Sequence, residues 1–287
     1  MSGIPSELRS KRFLVKTASR TLAALGTFSV VFGVIDVFFP GLLANFGGTI
    51  WLALGVSCII GLRLAWPQPI EARYSMPQTS VRILPGDLFD NEAASEHLIV
   101  GVSTSFDTRS PIIAPGSLQG QFLQRIYLND ADRLDADLAV ALGPYEGEAK
   151  IIEGKMNGNK MSYPIGTTAV LQAPNRTAFL LAYTKMDKED HVSTDVDLVW
   201  ESLTSVWDRV RVRGNATVVR MGVVGGGLAN LSSTLPAMDA IRFQVLSFML
   251  ASRRERVCDG LTIVVRPEQY EKLDHTVLHD FLKSLES

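Results

Sequence analysis

The chain has 287 residues, a formal net charge of −2 and a slightly acidic isoelectric point near 6.1, a balance that argues against nucleic acid as its main partner. Its two cysteines, Cys58 and Cys258, stand 200 positions apart and offer neither a disulfide framework nor a metal-ligand spacing. That cysteine usage fits a reducing compartment.

Five basic residues (Arg9, Lys11, Arg12, Lys16 and Arg20) mark residues 1–20 as a polar tail. Two apolar runs follow. Residues 21–39 carry Asp36 as their only charge, and residues 50–65 carry Arg63 alone, with Pro40, Gly47 and Gly48 breaking the chain between them. A membrane-spanning helix needs roughly 17–25 mostly apolar residues, so residues 21–66 are expected to form a two-helix transmembrane hairpin. A buried hairpin of a soluble core and a cleaved signal peptide are the readings set aside. The connecting turn has no Lys or Arg, whereas basic residues flank both outer ends, which predicts cytoplasmic N- and C-termini. Asp36 is a candidate pore-lining group, since a charge buried at mid-membrane costs about 2.5–3.5 kcal/mol. Gly26, Gly33, Gly55 and Gly61 would let such helices approach closely on self-association.

Residues 67–80, with Pro67, Pro69 and Pro77, read as a linker. From residue 81 to 287 the pattern alternates strand and helix. Strands are expected at 81–84, 97–102, 138–141, 168–171, 178–184, 216–222 and 261–265, and helices at 115–127, 194–212, 236–254 and 273–285. Polar, glycine-bearing residues 143–162 read as a long insertion or hairpin able to close over a ligand. The fold class is therefore α/β: a mixed, mostly parallel sheet sandwiched by helices, preceded by the hairpin.

Three loops at predicted strand ends carry the chemistry. Val224, Gly225, Gly226, Gly227 and Leu228 follow a β-branched strand, and glycines there let backbone N–H groups approach a phosphate. The alternative is a tight turn. Asp87 and Leu88 follow Gly86 at the end of the first strand of this domain, where a carboxylate can accept a hydrogen bond from an amino group or simply cap a turn. The strand at 97–102 runs into Ser103, Thr104, Ser105 and Phe106, and the helix opened by Ser117, Leu118, Gln119 and Gly120 can direct its first N–H groups at an anion. Ligands of open α/β sheets bind beyond the carboxyl ends of strands, so these segments are expected to meet around a nucleotide diphosphate.

In this order of elements the chain resembles the macro domain family, which binds ADP-ribose and its relatives. Gly86-Asp87-Leu88 looks like the family's Gly-Asp-Ile/Leu motif, whose aspartate recognises adenine. Residues 97–108 stand where the family has its strand and Asn-Ala-Ala-Asn segment, residues 116–121 near its first glycine-rich loop, and residues 222–230 at its second phosphate loop. The resemblance spans about 81–265. Ser103, Thr104 and Ser105 replace the family's asparagines, and the first loop lacks its run of glycines, which implies binding without turnover. Joined to two N-terminal spans, such a domain is similar to the membrane effector of type II Thoeris antiphage defence. That resemblance implies an ADP-ribose-derived signal, for example histidine-ADP-ribose, made by a TIR-domain enzyme that consumes NAD. It further implies a homo-oligomer acting on the lipid bilayer of a bacterial inner membrane, with no cofactor, no metal and no catalytic residue. A membrane-tethered ADP-ribosyl hydrolase is the alternative. His275 and His279, at i and i+4, are read as a solvated face rather than a metal site.

Overall fold

The structure is a computed structural model, which describes residues 18–27, 30, 55–60, 70–90, 93–225 and 235–286. The chain divides into two compact units, Met1–Gln68 and Pro69–Ser287. In the first, the described residues are helical. The turn of the expected hairpin and Asp36 lie outside the described residues, among which no helix is long and apolar enough to cross a membrane.

The second unit is built on strands β1 (Ile70–Tyr74), β2 (Thr79–Pro85), β3 (His97–Ser103), β6 (Thr168–Ala173), β7 (Arg176–Met186), β9 (Val219–Gly222) and β10 (Gly260–Val265). Their order is β1-β2-β10-β9-β3-β7-β6, with β8 (Val192–Ser193) added to β7, and a separate pair β4 (Lys150–Ile151) and β5 (Met161–Ser162). The five inner strands run parallel, whereas β1 and β6 pair antiparallel at the edges. Parallel neighbours need crossovers, and helices supply them. These are α1 (Leu118–Ile126), α2 (Ala131–Leu142), α3 (Val196–Arg213), α4 (Ala237–Arg254), α5 (Pro267–Tyr270) and α6 (His275–Ser284). The expected α/β sandwich, a mixed and mostly parallel sheet between helices, is what forms.

Helices cover both sheet faces. On one face Val199, Leu203, Val206, Trp207 and Val210 of α3 and Phe248 of α4 meet Ile99, Phe179, Leu181 and Ile263. Trp207 stacks edge-on against Phe248 at 5.2 Å and donates its indole N–H to Ser247 at 3.0 Å, so a large apolar ring is buried with its one polar atom satisfied. On the other face Phe122 of α1 and Leu134, Leu138 and Leu142 of α2 pack on Leu98, Val100 and Leu180.

Two expectations fail for local reasons. Residues 67–80 do not form a linker throughout, because β1 pairs Ile70–Tyr74 with residues 79–83. Ile70, Ala72 and Tyr74 alternate into the core, and the Tyr74 hydroxyl donates to the Leu282 carbonyl at 2.9 Å. That period-2 signal was present in Ile-Glu-Ala-Arg-Tyr but masked by flanking prolines. Residues 138–141, expected as a strand, lie inside α2. Its apolar stripe at Leu134, Leu138 and Leu142 repeats every four residues, and Asp130 caps it by accepting from Arg133 N–H at 3.0 Å. Residues 143–162 do form a hairpin-bearing insertion, a 3-10 turn followed by β4 and β5.

His97 couples the start of β3 to its surroundings. Its Nδ1 accepts from Thr177 N–H at 3.1 Å, which leaves Nε2 as the donor to the Gly214 carbonyl, also at 3.1 Å. The ring is thus held neutral. Burial pushes its pKa below the ordinary 6.5, more than the Gly214 contact raises it. The unfolded chain then binds a proton more readily than the folded one, so stability is complete above the unfolded pKa and falls as pH drops through it. The thermal midpoint of wild type is expected to decline below about pH 6.5, and His97→Gln to lose part of that slope, as read by melting curves across pH.

Candidate ligand-binding cleft

The carboxyl ends of β2, β3, β7, β9 and β10 open into one cleft of about 700 Å³. Its rim comes from Gly86, Asp87 and Leu88 after β2, Ser103 at the end of β3, Tyr183 and Thr184 of β7, Gly222 to Val224 after β9, and Arg266 after β10. Residues 112–114 and 116–119, leading into α1, form the facing wall. Four of the predicted segments therefore converge on this cleft. Gly226, Gly227 and Leu228 lie outside the described residues.

Helix α1 presents its N-terminus there. Ser117 is the cap: its Oγ accepts from Gly120 N–H at 3.1 Å and donates to the Ala114 carbonyl at 2.7 Å. The N–H groups of Leu118 and Gln119, at the first two helical positions, have no intrahelical acceptor, and both residues line the cleft. Gly120 does not line it. A Cβ there would collide with Ala114 and Pro115, so this glycine lets the wall fold back on its own helix. Gly222 plays the complementary part, since a Cβ would come within 2.8 Å of Leu118.

Asp87 makes the turn-type bond considered from sequence: Oδ1 accepts from Phe89 N–H at 2.9 Å, while Oδ2 pairs with Arg125 of α1. Burial opposes the charge, yet Phe89 N–H, Arg125 and the field of Arg220 together hold the carboxyl below its usual range. The ionised side chain remains 42 % exposed at the cleft.

Ser103 lines the cleft, but Thr104, Ser105 and Phe106 do not; they turn behind its wall. Ser103 and Ser105 share a hydroxyl bond of 3.0 Å, and Ser105 donates to Asp107 at 2.5 Å. Thr104 accepts from Ser162 at 2.9 Å. Phe106, at φ 49°, sits edge-on to Tyr163 at 5.7 Å and lines a second hollow shared with residues 156–159. The hub of this region is Asp107. It accepts from Lys155 Nζ and from Asn159 N–H, each at 2.6 Å, and its carbonyl accepts from the Gln119 amide. Lys155 and Asp107 side chains are 0 % and 2 % exposed. The insertion thus packs under the β3 exit loop, and closure over the cleft is not what its contacts provide.

Three contributors escaped sequence reading. The β3–β7 register slips after Val102, which pairs with Ala182 while Ser103 pairs with Thr184. Tyr183 is the extra residue of this bulge, re-aimed toward the cleft and over Gly101, where any Cβ would strike its ring. Its oxygen accepts from Gly225 N–H, although burial still raises its pKa. Gln244 of α4, fully buried, donates to the Gly222 carbonyl at 2.9 Å and accepts from Val224 N–H at 3.2 Å. Together Tyr183 and Gln244 hold the start of the glycine-rich loop, where Gly225 has φ 75°. Arg266 adds a cation at the rim.

Gln244→Leu leaves two backbone groups without partners, each worth about 1–3 kcal/mol when buried, so a clearly lower thermal midpoint is expected. An unchanged melt would show that the loop does not need this clamp. Lys155→Met strands the Asp107 carboxylate and should cost about 3–5 kcal/mol in chemical denaturation. Adding Asp107→Leu should recover much of that loss, because the cost lies in the unpaired charge.

Residues 81–266 match the family model described as "Thoeris protein ThsA, Macro domain". No curated protein matches the chain. Among solved structures, the macrodomain of Oceanobacillus iheyensis with ADP is 13 % identical, with a TM-score of 0.50 over 76 % of this chain and 98 % of that one. A single-residue mutant of the same macrodomain is 14 % identical, with a TM-score of 0.49 over 75 % and 97 % of the two chains. With the family model covering well over half of its length, the chain belongs to the Thoeris ThsA macro domain family.

Proposed function

We propose that this protein is a sensor whose cleft binds an ADP-ribose derivative without turning it over. The observation that carries the reading is the convergence of the Asp87 turn, the α1 N-terminus and the Gly222–Gly225 turn on one cleft of about 700 Å³. That volume falls in the range of small-molecule sites. Helix N–H groups at Leu118 and Gln119 suit a diphosphate. Asp87 suits the amino group of adenine. The solved macrodomain with ADP supports the ligand class. The ionisable side chains lining the cleft are Asp87, Tyr183 and Arg266; Asp87 is engaged by Arg125 and Tyr183 by Gly225. Such engaged groups favour binding over proton transfer.

In this reading residues 21–66 span the inner membrane of a bacterium with both termini cytoplasmic. A TIR-domain enzyme consuming NAD supplies the signal, and ligand binding favours a homo-oligomer that disrupts the bilayer as antiphage defence. The family description, the apolar runs and the placement of basic residues support it. The ligand must bind the assembled state more tightly than the resting one for any switch to occur.

Titration calorimetry of the full-length chain with ADP-ribose, its histidine conjugate and ADP tests the first step. Binding is expected, with Asp87→Ala weakening it roughly 10- to 100-fold, the worth of one hydrogen bond to a charged group. Absence of binding by every compound would overturn the reading. Release of products from the conjugate would replace it with a tethered ADP-ribosyl hydrolase.

A further inference from the structure

A second charged cluster lies toward the end of the sheet opposite the cleft. Arg82 of β2, Thr262 of β10 and Arg220 of β9 are successive partners in one row across the sheet, continued by Leu98 of β3 and Ala178 of β7. Arg176, two residues before Ala178, shares that face. Glu96, just before β3, pairs with Arg82 and also lies 3.3 Å from Arg220 Nε. Arg82 additionally donates to Thr262 at 3.2 Å.

The charges do not balance. Among the described residues three guanidiniums share one carboxylate, an excess of two positive charges: Glu96 is divided between Arg82 and Arg220, and Arg176 has no carboxylate partner. Arg176 is 7 % exposed and Arg220 4 %. The Nε and Nη1 atoms of both lack any hydrogen-bond partner. Burial, and then the adjacent Arg220, depress the Arg176 pKa. Buried guanidiniums are ordinarily paired, because an uncompensated charge in the interior costs several kcal/mol, and an unsatisfied group of this kind calls for an ion or water.

We propose that Arg176 and Arg220, with Glu96 fixing Arg220 against Arg82, form an oxyanion site for a tetrahedral dianion of the phosphate type. A phosphate group carries about −1.5 to −2 charges at neutral pH, matching the cluster's excess of two positive charges better than a carboxylate does. Planar guanidinium forks are the side chains best shaped to grip it. That group is either free phosphate or the end of a phosphomonoester whose remainder stays outside.

Thermal melting of the full-length chain tests this. Inorganic phosphate and phenyl phosphate are compared with chloride at equal ionic strength, using wild type, Arg176→Leu and Arg176→Gln. Wild type is expected to gain roughly 3–6 °C at a tenfold excess over the dissociation constant. Both variants should lose that gain while melting in chloride no lower than wild type, since each removes an unpaired buried charge. Stabilisation by both compounds supports an esterified ligand, and by phosphate alone a free ion. Wild type showing no gain beyond chloride, or both variants retaining the gain, would overturn the proposal. Arg176→Gln keeps the test alive should the leucine variant not fold.

Discussion

The cleft depends on one buried ion pair. Asp107 and Lys155 meet at 2.6 Å with almost no exposed surface, and such a pair persists only when its remaining lone pairs and protons are also satisfied. Here they are: Ser105, Asn159 N–H and the Asn159 carbonyl complete the shell. The backbone carbonyl of Asp107 then takes the Gln119 side chain. Through that last bond the exit of β3 is tied to the first turn of α1, the two segments that face each other across the cleft. Thr104 and Ser105 are committed to this buried region, Thr104 to Ser162 and Ser105 to Asp107, while Ser103 alone of the three lines the cleft.

The opposite rim is held by different means. A bulge at Tyr183 and the amide of Gln244 hold residues 222–225 from below and behind. The left-handed backbone at Gly225 begins the loop beyond. A phosphate site made of main-chain N–H groups needs such props, because donors that must reorganise on binding lose much of their value. The helix N-terminus and the loop start are therefore pre-positioned by the side chains of Gln119, Tyr183 and Gln244.

The two ends of the sheet also differ in charge balance. At the cleft, Asp87 is countered by Arg125 and felt by Arg220. At the other end, Glu96 faces more guanidinium than it can neutralise. The field of Arg220 reaches Asp87 and adds to what favours its charged form.

Much of this molecule was legible in the chain itself. Period-2 and period-3.6 patterns located the inner strands and long helices, since burial on one face must repeat with the backbone geometry. Gly86-Asp87-Leu88 and the glycines after Met221 marked two strand ends that do reach the cleft. The helix expected at 115–127 starts later, at Leu118, because the Ser117 hydroxyl caps it by accepting from Gly120 N–H. The short apolar run at 138–141 misled, since four residues fit either period. What only tertiary structure decided is which loop residues face the ligand side: Ser103 does, whereas Thr104, Ser105 and Phe106 turn behind the wall. The bulge at Tyr183, the Gln244 clamp, the Asp107–Lys155 pair and the Arg176–Arg220 cluster were equally invisible. Each joins residues tens of positions apart, and the energy that fixes them comes from burying charge and polar groups together, which no local spacing records.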